Sequence, residues 1–159
     1  MKQRIAYSKL AAGAMRAMYG VQEYVNHSGL DPKLLELVKM RASQLNGCAY
    51  CLDMHSQDAR QLGETEQRLY VLPAWREAPF YSPHERAALA WTEAVTLVAD
   101  SHVPDEVYEE ARREFNEQEM IDLTMAIIAI NGWNRLAISF RSQAGTYHPT
   151  AKPVAQEAS

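Results

Sequence analysis

The sequence predicts an all-α protein of six or seven helices. Apolar residues recur at helical spacing along most of the 159-residue chain. Its seven glycines and seven prolines fall between those periodic segments. No window alternates apolar and polar residues between turn signals in the manner of a β-hairpin. The length suits one domain with a core large enough to fold unaided.

The elements follow in order. Spacing predicts a first helix over about Tyr7 to Asn26 and a second around Leu34, Leu37, Val38, Ala42 and Leu45. Asp31-Pro32 supplies a cap and a first-turn proline for that second helix, and Asn46-Gly47 ends it, with glycine suited to a left-handed C-terminal position. The next helix opens at Cys48 and stops at Gly63. Glu64 to Trp75 reads as a short helix that breaks near Pro73. Ser82-Pro83-His84-Glu85 is a capping-box pattern that opens a helix to about Ala99. Pro104-Asp105-Glu106 starts another, to about Phe115, whose charges form a solvated face. The last, from Glu117 to about Ser142, is apolar on one face and then all round. That excess makes it either the central helix or a surface for another subunit, and the expectation is a homo-oligomer. Residues 1–144 are expected to form one helical domain, with 145–159 a loosely ordered tail.

Composition excludes several classes of function. Sixteen Lys and Arg stand against twenty Asp and Glu, for a net charge of −4, and the signs are mixed along the chain. No basic face invites nucleic acid or anionic lipid. No stretch approaches the roughly 18 apolar residues that would span a bilayer, and Ser8, Lys9 and Arg16 interrupt what a secretory signal would keep apolar. Two cysteines three apart are no secreted disulfide framework. The reading is a cytoplasmic protein.

Those two cysteines sit in Gly47-Cys48-Ala49-Tyr50-Cys51-Leu52-Asp53-Met54-His55. On a helix, Cys51 lies one turn after Cys48 and His55 one turn further, so all three share a face. Two thiols at i, i+3 can close a disulfide with little backbone change, and a sulfenic acid on one is resolved by the other. An imidazole beside Cys51 can take and return its proton. Free N–H groups at a helix start favour a thiolate at Cys48. Glu36, twelve residues before Cys48, either faces this cluster and orients His55 or stays in solvent; periodicity leaves both open. Two Cys, one His and one Glu without a second CxxC or HxxxH pair are a weak zinc pattern, and no metal or other cofactor is expected. The remaining histidines, His27, His84, His102 and His148, read as solvated, and Trp75, Trp91 and Trp133 as packing.

Glu36, Lys39, Arg41 and Ala42, followed by Asn46 to His55, resemble the core signature of the AhpD-like alkylhydroperoxidases of the carboxymuconolactone decarboxylase superfamily. Asn131-Gly132-Trp133-Asn134-Arg135-Leu136-Ala137 resembles the asparagine–arginine segment on that family's late helix. The similarity covers roughly residues 15 to 145. It implies a helical fold assembled as a trimer or a hexamer of paired trimers, and reduction of hydroperoxides by the cysteine pair. By analogy Cys51 is the attacking thiolate. Cys48 is then the resolving cysteine and the solvent-facing partner of an external dithiol, lipoyl or thioredoxin-like, with His55 and Glu36 as proton relay. The helix-start argument alone selects Cys48 as the more acidic thiol. Tyr50 stands where the family's peroxidases carry a histidine, and a phenol with a pKa near 10 is a poor base at neutral pH. Asn134 and Arg135 read as structural. The alternatives are a redox-sensing oligomeric binding module with little turnover and, less favoured because that branch lacks the CxxC pair, a lactone decarboxylase.

Overall fold

A computed structural model describes residues 2–149. Among them are nine α-helices and no strand. They are α1 (Tyr7–Leu10), α2 (Ala12–Asn26), α3 (Pro32–Asn46), α4 (Ala49–Gln61), α5 (Glu66–Val71), α6 (Pro83–Thr96), α7 (Val98–Ser101), α8 (Asp105–Glu114) and α9 (Glu117–Phe140). A 3-10 turn, Leu72–Ala74, follows α5 at Pro73. The expected elements are all present, with two single-turn helices added. The first run is divided at Ala11, where the backbone leaves helical values; tertiary contact holds α1 separately, since Tyr7 packs its ring on Phe140 and its hydroxyl reaches Ser142 Oγ at 3.3 Å. The Ser82 helix ends at Thr96 rather than Ala99, and α7 follows. There Ser101 Oγ donates to the Ala94 carbonyl at 2.7 Å, a local bond that competes with the helical ladder.

Local signals set the other boundaries. Asp31 Oδ1 accepts the Lys33 N–H at 2.9 Å, Pro32 occupies the first turn, and Gly47 closes α3 at φ 68°. Ser82 and Glu85 form the reciprocal cap of α6, and Asn116 with Glu119 does the same for α9.

The central helix is α3, which packs against α4, α6 and α9. Its Leu34, Leu35 and Val38 join Val25, Ala88, Trp91, Phe115, Leu123 and Ile127 in one cluster, while Leu37 and Met40 meet Leu69, Leu72, Trp75 and Leu89 in a second. Where α3 and α4 cross α9, Ala42, Cys48, Cys51, Ile130 and Ala137 form a third. The sulfurs are therefore part of the core. The apolar excess of α9 is divided: Leu123, Ile127 and Ile130 are buried, and Ile121, Ile128 and Ile138 stay exposed on the single chain. Among the described residues no helix is long and apolar enough to cross a membrane.

The segment after α9 turns back over α4. The Gly145 N–H donates to Asp53 Oδ2 at 2.8 Å and the Tyr147 hydroxyl to Asp58 Oδ1 at 2.8 Å. Of the tail expected over 145–159, residues 150–159 lie outside the described part of the chain. Of the histidines read as solvated, His27, His102 and His148 are exposed, but His84 is half-buried, its ring 4.1 Å from that of Phe115.

Candidate active site

Gly47 turns the chain from α3 into α4 and makes Cys48 the cap of α4, one residue before its first helical position. Cys48 Sγ accepts the Cys51 N–H at 3.3 Å, so this sulfur occupies the place a serine oxygen takes in an ordinary cap. The same geometry closes a Cys48–Cys51 disulfide with the α-carbons 5.4 Å apart. Cys48 is 1% exposed and Cys51 2% exposed. Only Cys51 lines the adjoining cavity. The expectation of a solvent-facing Cys48 is thereby corrected: to cap α4 its sulfur turns inward, among Ala42, Ile130 and Ala137.

One turn past Cys51, the Nδ1–H of His55 donates to Glu36 Oε2 at 2.9 Å. The other oxygen, Oε1, accepts from Lys39 Nζ at 2.8 Å. Glu36 is 6% exposed, so of its two open readings the buried one is correct. Burial by itself would raise its pKa. The His55 hydrogen bond and the Lys39 charge outweigh that and hold the carboxyl down at about 2. An ionised carboxylate only accepts hydrogen bonds, so the shared proton sits on Nδ1 of His55 and Nε2 is the nitrogen left for chemistry.

A cavity of about 750 Å³ joins these groups. Cys51, His55, Glu36 and Lys39 line it, and its apolar wall comes from Tyr7, Met15, Tyr19, Tyr50, Met54 and Trp133. Trp133 is fixed by its indole N–H, which donates to Gln22 Oε1 at 3.1 Å, and by the Tyr19 ring at 5.3 Å. Burial raises the Tyr50 pKa, and the neighbouring Tyr7, Tyr19 and Asp53 add to that; it stays a protonated phenol, suited to packing and hydrogen-bond donation. Asp53 belongs elsewhere. Its oxygens hold Gly145 and Gln57, and it lines a different groove with Leu52 and Ser56.

Sequence reasoning missed Asp58, which lies on the same face of α4 one turn after His55. Ligand atoms of Glu36, His55 and Asp58 lie within 4.8 Å of one another. Two of these are already engaged, Glu36 by Lys39 and His55 and Asp58 by Tyr147, and the Lys39 ammonium opposes a further cation beside Glu36. Neither sulfur belongs to that group among the described residues, and in the disulfide state the two are bonded to each other. Tyr7, Met15 and Tyr19 also escaped the sequence reading, because no motif marks a residue that reaches the site only through folding.

The late asparagines support the cysteine turn. Asn46 Nδ2 donates to Asn131 Oδ1 at 2.9 Å and to Asn134 Oδ1 at 2.8 Å, while Asn134 Nδ2 donates to Ser43 Oγ at 3.0 Å. These bonds clamp the end of α3 to α9 immediately before Cys48. Arg135 donates to the Asn131 carbonyl and side chain at 3.0 Å each, from outside the cavity.

Comparison with known proteins bears on this arrangement. The carboxymuconolactone decarboxylase family model matches residues 12–94, which includes Glu36, both cysteines and His55. The YdfG protein of Bacillus subtilis is 44% identical over 146 residues, covering 92% of this chain and 99% of that one. A solved structure from Agrobacterium tumefaciens, ATU0492, is described as a protein of unknown function and a candidate AhpD antioxidant defence protein. It superposes with a TM-score of 0.87 at 43% identity, covering 94% of this chain and all of that one. A peroxidase-related protein from Silicibacter sp. TM1040 superposes at 0.74 with 22% identity, over 85% of this chain and 72% of that one, and so shares the fold. With over half its length matched by the family model and a nearly full-length relative at 44% identity, this chain belongs to the carboxymuconolactone decarboxylase family and has the AhpD-like fold.

Proposed function

We propose that the protein is a cysteine-dependent hydroperoxide reductase in which Cys51, Cys48, His55 and Glu36 carry the chemistry. One observation supports this above the others: Cys51, bonded to a resolving partner, opens on the same cavity as an imidazole whose other nitrogen is held by a buried carboxylate. In the reduced protein His55 Nε2 takes the Cys51 proton. The thiolate attacks the terminal peroxide oxygen, an S–O bond forms, the O–O bond breaks, and the alcohol leaves with the proton returned by His55. Cys48 then attacks the Cys51 sulfenic acid, forming the disulfide and expelling water. An external dithiol, lipoyl or thioredoxin-like, restores both thiols.

The size and walls of the cavity favour an organic hydroperoxide. About 750 Å³ lies within the range of roughly 300–1,000 Å³ that holds a drug-sized molecule, and four aromatic rings with two thioethers offer an apolar body a place to pack. Candidate antioxidant and peroxidase-related descriptions of the structural relatives agree with this reading. Exposed Ile121, Ile128 and Ile138 on α9 support assembly into a homotrimer or homohexamer. The mixed, mildly acidic surface suits a cytoplasmic protein that binds no nucleic acid, formed as one domain over residues 1–144.

The test is consumption of an organic hydroperoxide with a dihydrolipoyl or thioredoxin-type donor. Multiple turnover that disappears in Cys51→Ser is expected. Failure with every donor, or undiminished turnover in Cys51→Ser, refutes the proposal. A redox-sensing module is the second reading, favoured by the hydrogen bonds that tie Gly145 and Tyr147 to the helix carrying the disulfide. It predicts oxidation by one equivalent of peroxide without turnover, and a changed assembly state.

A further inference from the structure

The two sulfurs are not equivalent to a molecule arriving from solvent. Cys51 lines the cavity with His55, Met54 and Tyr50, and Cys48 does not. Both sulfurs belong to one buried cluster with Ala42, Ile130 and Ala137, Cys48 1% and Cys51 2% exposed, so it is the cavity lining that separates them. Thiol–disulfide exchange is a displacement in which the incoming thiolate bonds to one sulfur and the other departs as a thiolate. The sulfur attacked must be reachable, and the better leaving group is the sulfur whose thiolate is better stabilised.

Both conditions select the same direction. Approach through the cavity meets Cys51 first. The charge released on the far side falls on Cys48, whose Sγ already accepts the Cys51 N–H at 3.3 Å at the start of the 13-residue helix α4. Free amides and the positive end of the helix dipole favour a thiolate there, and a thiol of lowered pKa leaves faster.

We infer that the reductant attacks Sγ of Cys51 and expels Cys48 as the leaving thiolate, so that every exchange with an outside molecule passes through Cys51. This reverses the role that family resemblance implies for Cys48. It rests on the proposed function only in taking the disulfide as the oxidised state of the working pair.

The step balances with a dithiol as donor. One donor thiolate bonds to Cys51, and the electron pair of the Cys48–Cys51 bond departs on Cys48. The second donor thiolate attacks the donor's own sulfur in the mixed disulfide, releasing the Cys51 thiolate. The donor leaves as a disulfide, two electrons poorer, and its two protons end on Cys48 and Cys51. His55 is the base placed to carry the proton at Cys51. In the oxidative half-cycle the same geometry lets peroxide meet Cys51, and Cys48 serves as an internal partner in both directions.

The experiment needs no peroxide. Oxidised wild-type protein is exposed to glutathione, quenched with N-ethylmaleimide, digested, and mapped by mass spectrometry. Glutathione on Cys51 with maleimide on Cys48 is expected, in at least about tenfold excess over the reverse isomer. In parallel, an aromatic disulfide is reacted with the single-cysteine variants, and Cys48→Ser is expected to react about tenfold or more faster than Cys51→Ser. Glutathione on Cys48, an even partition, or no capture in the native protein when the urea-unfolded protein is captured overturns the inference. Capture at Cys51 without any hydroperoxide turnover leaves it standing and refutes the proposed peroxidase function alone.

Discussion

The hydroxyl of Tyr147 donates to Asp58 across 89 residues of sequence, at 2.8 Å. This bond and the one between Gly145 and Asp53 are spaced five residues apart on α4, so the returning segment runs along the helix that carries Cys51 and His55. Burial and the adjoining Asp58 carboxylate raise the Tyr147 pKa, which keeps the phenol a donor well into alkaline solution.

Tyr147→Phe removes that donor and keeps the ring. Amide exchange at Gly145 and its neighbours is expected to speed up about tenfold, while global stability falls by no more than about 1 kcal/mol. Hydrogen-exchange mass spectrometry of the 143–149 region reads the first effect and urea unfolding the second. Unchanged exchange shows that the hydroxyl does not hold the segment.

Glu36 gives a stability that depends on acid. Its carboxyl titrates at about 2 in the folded chain against an ordinary 4.5. A native pKa below the unfolded one adds stability that is full above the unfolded value and is lost as pH falls towards the folded value. The window is therefore pH 4.5 down to about 2, and the amount is on the order of 3 kcal/mol. Urea midpoints at about pH 6 and about pH 3 should fall more steeply for wild type than for Glu36→Gln. At neutral pH that variant also strands the Lys39 ammonium, at a cost of about 3 kcal/mol.

Replacing the proposed base separates chemistry from structure. His55→Asn is expected to lower hydroperoxide turnover by roughly 10²-fold or more and to flatten the limb of the pH–rate profile that reports the imidazole. Stopped-flow consumption of the peroxide by pre-reduced protein measures this without the donor step. An unchanged profile excludes His55 as the base.

Asn134 is 0% exposed and links Asn46 to Ser43. Asn134→Leu leaves both partners short of a bond and forces a branched side chain into their place. A loss of about 3 kcal/mol in urea unfolding is expected. Because the clamp adjoins Cys48, faster reduction of the disulfide by dithiothreitol should accompany it.

What could be read from the sequence was local. Asp31, Gly47, Ser82 and Glu85 act through bonds to residues two to four positions away, so the ends they set were legible. The division at Ala11 was not, because Phe140 imposes it from elsewhere in the fold, and the one near Leu97 rests on a Ser101 hydroxyl bond to the Ala94 carbonyl that no capping pattern announces. Glu36 was ambiguous for a definite reason: a buried carboxylate three residues from its lysine looks, in one dimension, like an exposed ion pair. The face of Cys48 was hidden too, since the family pattern records spacing and not the direction a capping sulfur takes. Tyr7, Met15 and Tyr19 come from the other end of the chain and meet the site only once α1 and α2 have packed.

Every group assigned to the bond-making steps falls within residues 36 to 55, on two helices joined at Gly47, whereas Tyr7, Met15, Tyr19 and Trp133 arrive from distant helices. Under the proposed mechanism, reactivity and selectivity are thus written in different stretches of sequence. Drift in α1, α2 or the end of α9 can retune which compound is accepted while the reactive hairpin is inherited intact, and one ancestral engine can thereby serve many diets.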